Sequence, residues 1–221
     1  MRVRAGTAWR GSAIPVVLLL SGALTACSGA SREGASAVRT AAATDATGTA
    51  VRSGGTIGAR GSVCELPVTF DIAERWKAEA VDPAAGDSAA GKEVADALLR
   101  QGPVTAVCEV DARPAGNIGF LRVFTGSPGA GDASTVLRAF VAAEDGVSEE
   151  TYHSFTTGGL EGVEVEYLRT GEILDGPKKE RALAVGTARG PVVLHLGGMD
   201  TEEHEQMFPA YELARRTLRS A

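Results

Sequence analysis

From Ser28 to Ser62 the chain runs for 35 residues of which 26 are Gly, Ala, Ser or Thr, and its only bulky apolar members are Val38, Val51 and Ile57. Such a stretch offers too little apolar surface to offset the entropy lost on ordering it. Residues 27–62 therefore read as a flexible tether with a reach of about 30 to 35 Å. Its Ala-rich middle does not read as a helix, because Gly34, Gly48, Gly54 and Gly55 interrupt it and lone short helices are marginal in water. The core is left to residues 63–221, a length that suits one domain.

Ahead of the tether, Arg2, Arg4 and Arg10 precede an apolar run from Ile14 to Leu20, with no acidic residue among them. The run is short and broken by Pro15 and Ser21, whereas a membrane-spanning helix needs about 20 apolar residues. Leu24-Thr25-Ala26-Cys27 follows. This arrangement resembles a bacterial lipobox. The resemblance implies that residues 1–26 are a signal peptide cut before Cys27, whose thiol then carries a diacylglyceryl group, with a third acyl chain such as palmitate on the new N-terminus. Two or three chains hold a protein firmly where one binds only marginally. The expected partner of Cys27 is thus the membrane itself, with the protein on its outer, extracytoplasmic face.

Charge is divided unevenly. Residues 61–221 hold 15 Lys plus Arg against 26 Asp plus Glu, a net of −11, while the tether is weakly basic. An acidic body is repelled by anionic headgroups, and the same sign disfavours nucleic acid as a partner.

Within the domain, Val63–Asp71 and Trp76–Val81 read as strands, and Ser88–Gln101 as a helix stopped by Gly102-Pro103. Val104–Ala112 and Ile118–Thr125 read as two more strands, with Val104, Ala106, Cys108 and Val110 on one face by period two. Asp132 is placed to cap a helix whose apolar stripe is Val136, Leu137, Phe140 and Val141, with Gly146 closing it. Strands follow near Tyr152–Thr157, Gly162–Thr170, Glu180–Ala188 and Val192–Gly197, with connections short enough to require antiparallel pairing. A last helix opens at Asp200 with Glu203 three residues on, a capping-box pattern, and carries Met207, Tyr211, Ala214 and Leu218 on one side. Pro209 predicts a kink or a fresh start within it. The order of elements argues an α+β fold in which helices pack on an antiparallel sheet.

With Cys27 taken by lipid, Cys64 and Cys108 remain in a compartment where disulfides persist, and they are expected to pair. The bond would close a loop of about 45 residues and pin the first strand beside the third.

No motif carries catalysis. Gly86-Asp87-Ser88-Ala89-Ala90-Gly91-Lys92-Glu93 approaches a phosphate-binding loop, but Glu93 stands where a Ser or Thr must meet magnesium, so a small-residue turn capped by Ser88 is the better reading. His153, His195 and His204 lack metal-ligand spacing, and His195 reads as a sheet histidine. No nucleophile elbow is present. Glu164 and Glu166 share a strand face, as chance allows among so many acids. Lys178, Lys179 and Arg181 read as a solvated hairpin tip after Asp175-Gly176-Pro177, and Trp76 as a core residue. No catalytic, metal or cofactor site is expected, and no cofactor.

Four segments carry a family resemblance: Leu66–Ile72 leading to Trp76, Gly159–Tyr167, Ala184–Gly198 with Val192–Leu196, and Phe208–Tyr211 running on to Leu218. Over residues 63–220 the chain resembles the PsbP-like α/β/α sandwich family, which includes actinobacterial lipoproteins of the LpqN type. It departs from that pattern in the Cys64 and Cys108 pair, and in Glu74-Arg75 where Pro or Gly often precedes the tryptophan. The use of 18 Arg against 4 Lys suits a high-GC actinobacterial source. The resemblance implies a non-catalytic binding or assembly module for an envelope protein, polymer or small amphiphile. A carrier of a lipid or other apolar molecule is the alternative, and an extracytoplasmic hydrolase a more distant one.

Overall fold

The computed structural model describes residues 51–82, 88–171 and 176–221. The leader, Cys27, the tether up to residue 50, Gly86-Asp87 and Asp175 lie outside the described residues. In chain order the strands and helices are β1 (Ser53–Ile57), β2 (Val68–Ala73), β3 (Lys77–Ala80), α1 (Ala89–Leu99), β4 (Arg100–Gln101), β5 (Val104–Asp111) and β6 (Gly119–Thr125). They continue as α2 (Ala133–Ala142), β7 (Val147–Thr157), β8 (Leu160–Thr170), β9 (Pro177–Val185), β10 (Val192–Gly198), α3 (Thr201–Thr217) and β11 (Arg219–Ser220).

The main sheet has the order β3-β5-β6-β10-β9-β8-β7, with β4 beside β5, and a small sheet has the order β1-β2-β11. Every pairing between these strands is antiparallel, as their short connections require. Alternation along each strand gives the main sheet two apolar faces. On one, Leu121, Val123, Leu183, Leu194 and Leu196 pack with Phe70 of β2 and with Met207, Tyr211 and Ala214 of α3. On the other, Val165, Ala182, Ala184 and Val193 pack with α2. The fold is the α+β sandwich expected from the order of elements.

Local signals explain the helices. In α2 the four buried residues are Val136, Leu137, Phe140 and Val141, and the Asp132 carboxylate accepts the Thr135 N–H at 2.8 Å. In α3 the Asp200 carboxylate accepts the Glu203 N–H at 2.9 Å. The Glu203 side chain does not complete the box, because its Oε2 instead accepts the Ile118 N–H at 2.9 Å and ties α3 to the start of β6. The helix runs unbroken through Pro209, with Met207, Ala210, Tyr211 and Ala214 buried on either side of it, so the fresh start allowed for in the sequence is not taken. Packing of that face on the sheet holds both halves against the cost of the proline. Trp76 is buried in the same core. Arg75, just before it, adopts a φ of 70° in the left-handed region that favours glycine.

Several boundaries differ from the sequence reading, among them β9, which runs over Pro177–Val185 and not Glu180–Ala188, and the first helix, which ends at Leu99 with Arg100–Gln101 in β4. Residues 51–62, read as the end of the tether, belong to the folded body, since β1 pairs with β2 and Ile57 is buried. Their glycines are close-approach positions. A Cβ on Gly58, whose φ is 99°, would lie 1.9 Å from the Val68 carbonyl oxygen. The strand expected over Val63–Asp71 begins only at Val68, so Cys64 lies in the preceding loop. β7 begins at Val147 and not near Tyr152. Cys64 and Cys108 form a disulfide with Cα atoms 5.9 Å apart, which joins that loop to β5 and not strand to strand.

Candidate functional site

Helix α2 covers only part of its face of the sheet. Beneath it the side chains are apolar, as at Val193, Ala184 and Phe124. Two residues further along each strand, the same face carries Arg122 opposite His195, with Ala182 beyond. Two more residues bring Phe120 opposite Gly197, and Glu180 opposite Tyr167. Lys178 then pairs with Arg169 at the strand ends. A cleft of about 270 Å³ opens above these residues, with Ile118 and Met199 also in its wall.

Gly197 forms the floor. Its backbone φ is not in the left-handed region, and a Cβ there would meet Glu180 Oε2 at 3.4 Å and His195 Cε1 at 3.6 Å, which are ordinary contacts. Neither conformation nor packing requires glycine. Its neighbour Gly198 is different, because a Cβ there would press on the His204 backbone nitrogen of α3 at 3.0 Å. A glycine inside a strand often marks a bulge, a bend or a place where a ligand or another backbone comes close.

Below the cleft runs a buried polar network. The Glu180 carboxylate is engaged through both oxygens, Oε2 with His195 Nε2 at 2.8 Å and Oε1 with Lys178 Nζ at 2.6 Å. Lys178 also donates to the Gly198 carbonyl at 2.6 Å. The Tyr167 hydroxyl donates to Glu144 Oε1 at 3.0 Å and lies 3.2 Å from His195 Nε2. With that hydroxyl donating to Glu144, His195 Nε2 carries the hydrogen that Glu180 and Tyr167 share. Gln101 Nε2 donates to Glu144 Oε1 at 2.6 Å, and Phe140 sets its ring edge on His195 at 5.5 Å. Burial pushes the Glu180 carboxyl up, but His195 and Lys178 together outweigh it and hold it down at about 2. Burial, with Glu144 and Glu180 adding to it, raises the Tyr167 phenol well above its ordinary value. Near neutral pH the carboxylate stays ionised and the phenol stays protonated.

The remaining candidates fall elsewhere. Lys178, Lys179 and Arg181 are not a solvated tip, because alternation along β9 sends them to opposite faces where each meets acid. Lys178 enters the cleft. Lys179 Nζ lies 2.7 Å from Glu205 Oε1, and Arg181 pairs with Glu166 and Glu164 and stacks on Phe208 at 4.3 Å. Glu164 is buried on the α3 face, within 3.6 Å of both Arg181 and Arg215, and does not line the cleft. His153 is exposed on the edge strand β7. Among the described residues no group of three or more His, Cys, Asp or Glu is arranged to hold a metal ion. Ser88 Oγ accepts the Gly91 N–H at 3.1 Å, a capped turn at the described part of the loop that approaches a phosphate-binding pattern. Among the described residues no helix is long and apolar enough to cross a membrane.

His204 is buried in α3, its Nδ1 has no partner among the described residues, and burial lowers its pKa to about 4. Glu180 opposes that shift, whereas Arg181, His195 and Lys179 reinforce it. The folded protein thus resists a proton that the unfolded chain accepts near 6.5. Stability from this group is complete above about 6.5 and is lost as pH falls toward 4, by about 3 kcal/mol in all. Urea unfolding of His204→Gln is expected to lack that part of the acid slope, and an unchanged slope between pH 6.5 and 4 would contradict it.

Glu180, Tyr167 and Gly197 escaped the sequence reading. Each sits on a different strand, and the one local signal was a glycine following the apolar run Val192–Leu196 with no turn to require it. A family model described as uncharacterised lipoprotein matches residues 34–218. The chain is also similar to the solution structure of cyanobacterial PsbP (CyanoP) from Synechocystis sp. PCC 6803. Identity is 12%, 82% of this chain and 99% of that one are covered, and the TM-score is 0.48. No curated protein matches the sequence.

Proposed function

We propose, because the chain belongs to the family described as uncharacterised lipoproteins, that it is a non-catalytic binding module fastened to the outer face of the cytoplasmic membrane through acyl chains on Cys27. The cleft above Gly197 is its binding site. The observation that carries this reading is the unfilled floor: a strand residue at the centre of the sheet has given up its side chain where a Cβ would fit without strain. The chemistry around it favours recognition over reaction. Among the described residues that line it there is no Ser, Thr or Cys. Glu180 is paired with Lys178 and His195 and its carboxyl is held down at about 2, far below the operating pH to which an efficient general base is matched. A carrier of wholly apolar molecules is disfavoured by the charged groups lining the cleft. The finer kinship, with LpqN-type actinobacterial lipoproteins, is supported by the four segments named above and by the Arg-rich composition.

Two measurements test the reading. Cys27→Ala is expected to move the protein from the membrane to the soluble fraction, and continued membrane attachment would defeat the anchor. Small molecules released from protein purified out of its native membrane are expected to include a species absent from Gly197→Val. Identical complements by mass spectrometry would rule out the cleft.

A further inference from the structure

We infer that this cleft, taken as the binding site proposed above, accepts a small amphiphilic anion: a carboxylate or phosphate monoester held by Lys178, Arg169 and Arg122, with a short apolar chain lying on Phe120, Ile118 and Met199. The first ground is charge. The folded body, residues 51–221, carries a net of −9, yet the described residues that line the cleft include three cations and one carboxylate, and that carboxylate is engaged by Lys178 and His195. Such a local reversal concentrates anions against the field of the whole body.

The second ground is unspent hydrogen-bonding capacity. Lys178 uses two of three donors, on Glu180 and the Gly198 carbonyl. Arg169 meets Glu144 through Nε alone at 3.3 Å, and Arg122 meets Glu109 through Nε alone at 2.7 Å. Their Nη groups make no hydrogen bond to another described residue, and a guanidinium fork is matched to planar carboxylate or phosphate oxygens.

The third ground is the opposite rim. Ile118 is 50% exposed and Met199 45% exposed, two of the five large apolar side chains exposed among the described residues, and both belong to this cleft. They adjoin each other, since the Met199 N–H donates to the Ile118 carbonyl at 3.1 Å. Phe120 lies beside them, with the Arg122 guanidinium 5.3 Å above its ring. Arg169 and Lys178 thus stand over the ends of β8 and β9, Ile118 and Met199 over the ends of β6 and β10, and Arg122 on β6 beside Phe120. A volume of about 270 Å³ lies at the small end of ligand pockets, which fits a head with a short chain better than a full lipid.

The test uses full-length Cys27→Ala, so that no acyl chain of its own competes, with calorimetry and amide NMR as readouts. The probes are octanoate, octyl phosphate, the neutral octyl glucoside, acetate and inorganic phosphate. Octanoate or octyl phosphate is expected to bind about tenfold or more tightly than octyl glucoside and than its own chainless anion. The preference between the two octyl anions identifies the head. Shifts are expected at Phe120, His195 and Gly197. Combining Arg122→Gln with Arg169→Gln is expected to weaken binding about tenfold, and Gly197→Val to abolish it, in proteins whose melting is checked separately.

Octyl glucoside binding as tightly as the anions, and still blocked by Gly197→Val, would overturn the anion class while leaving the cleft as the site. Inorganic phosphate or acetate binding as well as its octyl derivative would overturn the apolar half. Binding of the anions that Gly197→Val does not change would overturn the inference and the cleft together. No binding by any probe would overturn the inference.

Discussion

Replacing Cys64 by Ser is expected to cost about 4 kcal/mol of stability. The bond spans 44 positions of sequence, so its absence lets the unfolded chain explore far more space. The folded side suffers as well. Cys108 is fully buried within the core that also holds Val110, Leu121 and Phe70, and its freed thiol would have no water to meet. For a domain of this size that free energy corresponds to a fall in melting temperature of about 8 to 16 °C. Oxidised wild type melting at the same temperature as Cys64→Ser would contradict it. Labelling of Cys108 by a thiol reagent in unfolded Cys64→Ser but not in unfolded wild type checks the bond directly.

The second large effect concerns Lys178→Met. This change removes the ammonium from Glu180 Oε1, 2.6 Å away, and leaves a carboxylate in a nearly inaccessible position with only His195 to hold it. Breaking a buried pair from one side costs about 3 kcal/mol or more, because the remaining charge is uncompensated. Adding Glu180→Gln to Lys178→Met is expected to restore a large part of the loss by removing that charge. The acid limb should change with it. In the wild type Glu180 titrates at about 2, below the ordinary 4.5, so its contribution is complete above about 4.5 and disappears as pH falls toward 2. In Lys178→Met the carboxyl rises and the pH window narrows from below. Urea midpoints from pH 2 to 7 would show both effects, and equal stability of Lys178→Met and wild type at pH 7 would refute them.

What the sequence made legible was local. The stripe Val136, Leu137, Phe140 and Val141 and the Asp132 cap needed only helical spacing and one carboxylate, and both are in place. Met207, Tyr211, Ala214 and Leu218 were readable for the same reason. β1 was not, because Gly, Ser and Thr mark a loose spacer and a tight backbone contact alike. Only the fold reveals that Gly58 lies against Val68. Nor was the cleft. Tyr167 and His195 are 28 positions apart and Glu180 and His195 are 15 apart, so their meeting depends on strand order and register. Period two in β9 already implied that Lys178 and Lys179 face opposite ways. It did not reveal that acids wait on both sides.

The folded body begins, in chain order, at an edge strand. β1 holds only to β2, in a sheet separate from the one that bears the cleft. A pull on the chain ahead of it would act first on Val51 and Arg52, which are held by packing on the core and by the Glu74 N–H donating to the Arg52 carbonyl at 2.9 Å, and then on the β1–β2 ladder. Detachment of β1 would stop at Cys64, where the disulfide to Cys108 of β5 holds the chain covalently. Loss of the β1–β2 ladder therefore leaves the strands of the main sheet paired as they were.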